Sequence, residues 1–186
     1  MRLSRMLMLC AAIGCSAAAP RALAVPSWEE PAGDVLTAVL PLGSLYYTYK
    51  YDDAEGRKQF YWCVGTNEVL NSAARLAFNQ TYLGKRPNGH EYGFPSGHVG
   101  FISSAASFLW LRYGWEYGVP AYAAVGFVAY ERIATDHHRS RDVIAAAALA
   151  HGVAMATVTS KKVPEVSPVI GPGFVGLEWN HPFGGP

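Results

Sequence analysis

Three short clusters suited to phosphate chemistry stand out in this 186-residue chain: Lys85-Arg86-Pro87, Pro95-Ser96-Gly97-His98, and Arg132-x5-His138-x3-Asp142. Ser96 is a helix N-cap residue type, and the N–H groups that follow, at Gly97, His98 and Val99, would point out of the helix end. Such an end, with no bulk at Gly97, is an anion cradle. His98 stands at its lip, where an imidazole can give a proton to a bound group. Arg86 and Arg132 are planar, permanently charged forks that match phosphate oxygens. His138 and Asp142 share a helix face. A carboxylate hydrogen-bonded to one ring nitrogen would leave the other as nucleophile or base. Two histidines, a carboxylate, two arginines and a helix N-terminus describe phosphoryl transfer through a phosphohistidine.

This order of motifs resembles the type 2 phosphatidic acid phosphatase superfamily, which includes bacterial non-specific acid phosphatases, lipid phosphate phosphatases and vanadium haloperoxidases. Its pattern is Lys-x6-Arg-Pro, then Pro-Ser-Gly-His, then Ser-Arg-x5-His-x3-Asp, and the resemblance covers roughly residues 34–160. It implies that His138 attacks phosphorus, that Asp142 orients it, and that His98 protonates the leaving oxygen and then activates water. It also implies that Arg86, Arg132, Ser96 and Gly97 hold the phosphate, with no metal and no cofactor. Two positions depart from the pattern. Asn79 stands where the lysine belongs, with Lys85 or Arg75 as the substitutes at hand, and Glu131 replaces the serine before Arg132. The expected function is hydrolysis of a phosphomonoester or a lipid-linked phosphate or pyrophosphate. The alternatives are a degenerate phosphate- or lipid-binding site and a vanadate-dependent haloperoxidase. Expected partners are a phosphorylated small molecule or lipid phosphate, with contact to a membrane surface and no nucleic acid.

Several residues invite a plainer reading. His90, His151 and His181 read as surface or satisfied core histidines. Asp136, His137 and His138 are poor metal ligands as a set, because adjacent side chains diverge. Tyr46, Tyr47, Tyr49 and Tyr51, and the second patch of Trp110, Tyr113 and Trp115, read as packing or interfacial aromatics.

Composition agrees with an ordered domain. Hydrophobic residues make up 51% and charged residues 16%, which excludes disorder, and a formal charge of +1 carries no nucleic-acid footprint. Arg2 and Arg5, an apolar run and Ala22-Leu23-Ala24 read as a signal peptide over residues 1–24, so the chain is expected to be exported and periplasmic. A retained anchor and lipidation at Cys15 are the alternatives. Without that leader only Cys63 of the three cysteines remains, so no intrachain disulfide can form.

The elements that must position the clusters read as an all-α bundle of about five helices over residues 25–162, with the site at one end. The first helix starts at Asp34 as its cap, and Pro41 and Gly43 suggest a kink or break. A polar connection over Lys50–Gln59 leads to a second helix, Phe60–Leu83. The glycine- and proline-rich loop 84–95 precedes helices at about 97–113, 119–134 and 140–160. The tail, 163–186, reads as irregular or β-like. Charge-free stretches at Tyr92–Leu111 and Val143–Ser160 approach the length of a span, but their glycines, histidines and hydroxyls favour a soluble bundle over a membrane one.

Overall fold

The computed structural model describes residues 28–161, 165–171 and 174–180. The leader, Cys15 and His181 lie outside the described residues. Five helices follow one another: α1 (Glu29–Lys50), α2 (Ala54–Phe78), α3 (Gly97–Tyr113), α4 (Trp115–Ala134) and α5 (Ser140–Thr157). In the tail, β1 (Glu165–Gly171) and β2 (Phe174–Asn180) pair as an antiparallel hairpin.

Three helix starts differ from the sequence reading, and so does the end of α2, which stops at Phe78 rather than Leu83 because Asn79 is bonded to Tyr92 and Glu91 of the loop. α1 begins at Glu29, whose carboxylate and that of Glu30 face the positive helix end, and Asp34 is an interior residue rather than a cap. The helix also runs unbroken past Pro41 and Gly43. The Ser44 hydroxyl donates to the Leu40 carbonyl (2.7 Å), and Leu36, Leu40, Leu45 and Tyr47 pack on the core. Burial of that face offsets the backbone bond that Pro41 cannot make. α2 starts at Ala54, because the Asp53 carboxylate caps it by accepting from the Gly56 N–H (3.0 Å). The connection is therefore much shorter than expected. α4 likewise starts at Trp115, with Pro120 inside it.

α3 is the axis of the bundle and packs against all four other helices. Its sequence explains this. Val99, Ile102, Phe108 and Leu109 are buried on several sides, and Ser103, Ser104, Ala105, Ala106 and Ser107 between them let neighbouring backbones approach. A helix buried all round has no polar face to offer water. Phe60 of α2 meets Phe108 edge-on at 5.2 Å, and the Cys63 thiol lies 3.7 Å from the Ser104 carbonyl oxygen.

The helices alternate in direction, so the starts of α1, α3 and α5 share one end with the finishes of α2 and α4. At the other end a buried ionic cluster closes the bundle. Asp53 accepts from Arg112 through both carboxylate oxygens (2.5 and 2.9 Å) and from the Tyr113 hydroxyl (2.8 Å). Arg112 also donates to the Thr159 carbonyl (3.0 Å), tying in the chain beyond α5. Burial pushes the Asp53 carboxyl up, but Arg112, the Gly56 N–H and Tyr113 outweigh it and hold the group well below the usual carboxylate range. Its stabilising contribution is therefore full at neutral pH and is lost as acid protonates it. Asp53→Ala should leave Arg112 buried without its partner and lower the unfolding free energy by about 3–5 kcal/mol, measured in urea, with phosphate binding at the opposite end unchanged.

Candidate active site

Every motif residue with a chemical role is carried to the end where α3 begins. Ser96 is the N-cap of α3, as its type predicts: it is extended, fully buried, and its hydroxyl accepts from the Val99 N–H at 3.5 Å. The Gly97 and His98 N–H groups have no intrahelical acceptor and lie at the open helix end. The Ser96 N–H donates to the Asp142 carbonyl (3.1 Å), which fastens the start of α3 to the start of α5.

Three guanidinium groups converge on this end. Arg132 is the last basic residue of α4 and is almost wholly buried. Arg86 is half-buried in the loop, and burial with the charges of Arg75 and Arg132 pushes its guanidinium below the ordinary range. The third is Arg75, in the last turn of α2. A Cβ added to Gly97 would lie 3.1 Å from Arg75 Nη1, so the bare glycine is what lets the guanidinium lie against the helix start. Nε of Arg75 and Nε of Arg86 are buried without an acceptor among the described residues. Buried donors without acceptors are uncommon in folded proteins, and forks of this kind fit an oxyanion.

Arg75 lies one helical turn before Asn79, on the same face of α2. Asn79 itself is engaged by the loop. Its Oδ1 accepts from the Tyr92 N–H (2.9 Å) and its Nδ2 donates to Glu91 (3.2 Å). That folds the loop back so that the Tyr92 ring meets the Arg75 guanidinium at 5.7 Å. Lys85 is exposed, and its backbone carbonyl accepts from Arg139 Nη1 (2.5 Å). The structure therefore brings Arg75, and not the Lys85 ammonium, to the other arginines.

His138 is buried, and its Nδ1 meets the Gly93 carbonyl oxygen at 2.8 Å. The N–H must then be on Nδ1, which leaves the Nε2 lone pair free. This corrects the expectation of a carboxylate bonded to the ring. Asp142 Oδ2 is 3.9 Å from Nδ1, beyond hydrogen-bond range. Its oxygens accept instead from the Arg139 N–H (2.8 Å) and from Arg141 Nε (3.3 Å), so Asp142 secures the first turn of α5. Burial lowers His138 to about 4, and the charges of Arg86, Arg75 and His137 act in the same direction against the Gly93 bond. The ring is neutral through the mildly acidic range.

Two carboxylates join the cluster beyond the expected set of site residues. Glu131 is fully buried, and burial raises its carboxyl. Oε2 lies 2.9 Å from Arg132 Nε, off the hydrogen-bonding direction, and a Cβ on Gly33 of α1 would come within 2.7 Å of it. Glu131 thus lies behind Arg132, wedged against α1. Asp34 also reaches this end: its Oδ1 accepts from Arg132 Nη2 and lies 3.3 Å from His98 Nε2. His137 turns away from His138, with Nδ1 at 2.7 Å from the Thr135 hydroxyl and Nε2 at 3.6 Å from Glu30. His151 is half-buried against Tyr122, with Nδ1 at 2.8 Å from its hydroxyl.

Comparison with known proteins agrees with this arrangement. The chain belongs to the PAP2 superfamily, whose family model matches residues 11–165. Among solved structures, LpxE of Aquifex aeolicus shares the fold, with a TM-score of 0.60 at 18% identity over 70% of this chain and 82% of that one. None of the curated proteins compared matches the sequence. Family membership supports a phosphatase of the PAP2 type. Among the described residues, no helix is long and apolar enough to cross a membrane.

If Arg75 completes the cradle, Arg75→Ala should weaken orthophosphate binding by about 10- to 100-fold, the worth of one or two charge-assisted hydrogen bonds. Lys85→Ala should weaken it by less than about threefold. Isothermal titration of both variants makes the comparison.

Proposed function

We propose that this chain is a metal-independent phosphatase that works through a phosphohistidine on His138. The observation that carries the reading is the convergence of Arg75, Arg86 and Arg132 on the start of α3 beside two histidines, with buried donors that lack acceptors. A phosphate with its several oxygens satisfies such a set, and the fixed positive groups supply the electrostatic stabilisation that a metal would otherwise give. In the first step Nε2 of His138 bonds to phosphorus while the ester oxygen leaves with a proton from His98. In the second, His98 takes a proton from water as its oxygen attacks phosphorus, and the nitrogen–phosphorus bond breaks. Ser96, Gly97, Arg86, Arg132 and Arg75 hold the phosphate oxygens through both steps.

A lipid-linked phosphate or pyrophosphate suits the molecule better than a free sugar or nucleotide ester. A cavity of about 630 Å³ opens along α5 from Ile144 to Met155, closed by Trp110, Val119, Tyr122 and Ala148. Its lining follows twelve residues of α5, Ile144 to Met155, a length of roughly 16 Å, enough for a hydrocarbon tail. The exposed Ile144, Met155 and Val119 at its rim match contact with a membrane surface. With the leader read as a signal peptide, the proposed location is the periplasm.

The experiment is rapid-quench trapping at neutral to alkaline pH with labelled substrate. Wild-type protein should carry label and survive EDTA, and His138→Ala should carry none. His98→Ala should accumulate label from nitrophenyl phosphate, whose leaving group needs little protonation, and then stall. Equal label on wild type and His138→Ala would mean another nucleophile. Activity lost to EDTA and restored by a divalent ion would end the metal-free mechanism.

The pH dependence follows from the two rings. Attack needs neutral His138, so kcat/KM should rise through about pH 4. Donation needs charged His98, which burial and then Arg132, Arg86 and Arg75 lower against the opposing charge of Asp34. The alkaline limb should therefore fall below the ordinary histidine value of about 6.5. Steady-state profiles over pH 3.5–8 would check both limbs.

A further inference from the structure

We propose that Asp34, a residue of α1 outside all three motifs, is the positioning residue for His98, holding its ring as the acid that protonates the leaving oxygen. The inference rests on the phosphohistidine reading and assigns a role that the motifs do not contain.

The geometry is specific. Asp34 Oδ1 lies 3.3 Å from His98 Nε2, and the same oxygen accepts from Arg132 Nη2. One carboxylate thus fixes the acid relative to the arginine that would hold the phosphate. The position of Asp34 is itself held, because Gly33 beside it lies against the buried Glu131 carboxylate, which leaves no room for a side chain there. α1 therefore meets the end of α4 with Glu131 on one side of Arg132 and Asp34 on the other.

The electrostatics require such a group. The charged side chains around His98 are Arg75 from α2, Arg86 from the loop, Arg132 from α4 and Asp34 from α1. Three are cations that oppose the protonated ring, and among the described residues Asp34 is the one that favours it. α5 adds nothing comparable, since Asp142 is bonded to the Arg139 N–H and to Arg141. Nε2 faces the Asp34 carboxylate at 3.3 Å, so the proton released to the ester oxygen is assigned to Nδ1. The oxygen–phosphorus bond breaks as the bond from His138 forms, and His98 remains as the neutral Nε2–H tautomer. No proton passes to Asp34 in either step. In the second step Nδ1 accepts the proton of the attacking water.

Asp34→Asn tests this, because the amide keeps the shape and loses the charge. General acids contribute about 10²- to 10⁴-fold, so weakening one should cost at least about tenfold in kcat on an alkyl phosphate. The loss on nitrophenyl phosphate should be under about threefold, and the alkaline limb on the alkyl ester should move to lower pH. Asp34→Glu should recover part of the alkyl-ester rate. Independently of turnover, the ring resonances of His98 in labelled protein, assigned with His98→Ala, should titrate at lower pH in Asp34→Asn than in wild type. Equal loss on the two esters would mean a merely structural role and overturn the proposal. A lower KM with unchanged kcat would do the same, because Asp34 would then only compete with phosphate for Arg132. An unmoved His98 titration would also refute it. Wild-type protein without phosphatase activity on either ester would instead defeat the phosphohistidine reading, and the inference with it.

Discussion

The site end of the molecule depends on holding three guanidinium groups together at the positive end of a helix. Arg75, Arg86 and Arg132 repel one another, and the free N–H groups of α3 add to the same sign. Burial makes the repulsion stronger, and Arg86 shows it in a guanidinium pushed down by burial and by its two neighbours. Two carboxylates relieve it unequally. Glu131 is fully buried behind Arg132, whereas Asp34 lies at the more exposed front. The crowd of positive charge is thus held from the rear and left open to an anion at the front.

That crowding requires a rigid frame, and α3 provides it. Small residues along α3 let the other four helices approach it closely, and its two ends are fastened by different chemistry. At its start, the Ser96 N–H is bonded to the Asp142 carbonyl and its carbonyl accepts from Asn71, which ties α5 and α2 to the cradle. At its finish, Arg112 and Tyr113 are bonded to Asp53, the cap of α2. The distant ion pair does no chemistry, yet it resists sliding of α3 against α2. It acts on stability, while the anion geometry is set at the start of α3, where Gly97 admits Arg75 and Ser96 is bonded to Asp142.

Much of this is legible in the sequence, because local rules govern it. The Ser96 cap, the extent of α3, the glycine at 97 and the pairing of Arg86 with Arg132 all follow from spacing and residue type. Asp53 is equally legible as a cap, with Glu55 in the first turn, yet its polar neighbours make it read as part of a longer connection. Asp34 reads as a cap for the opposite reason. A carboxylate near a helix start satisfies the local rule, and only the docking of α1 on α4 shows that it faces Arg132 and His98. Arg75 can be named from the sequence only as a substitute, since choosing it requires knowing that Asn79 turns to the loop. The partner of His138 is beyond any sequence rule, because a backbone carbonyl carries no residue signature.

That carbonyl changes the chemistry the proposed pathway would have. A carboxylate on Nδ1 would raise the basicity of His138 and keep it protonated further up the pH scale. The Gly93 oxygen fixes the same tautomer with no full charge, and burial with the surrounding cations keeps the ring neutral down to about pH 4. A weakly basic imidazole is the poorer nucleophile in the first step. It would also be the better leaving group in the second, when the nitrogen–phosphorus bond must break. Asp142, at 3.9 Å and already bonded to α5, is close enough to moderate the positive charge that develops on the ring. It is too far to share the proton, and the ring stays poised between attack and release.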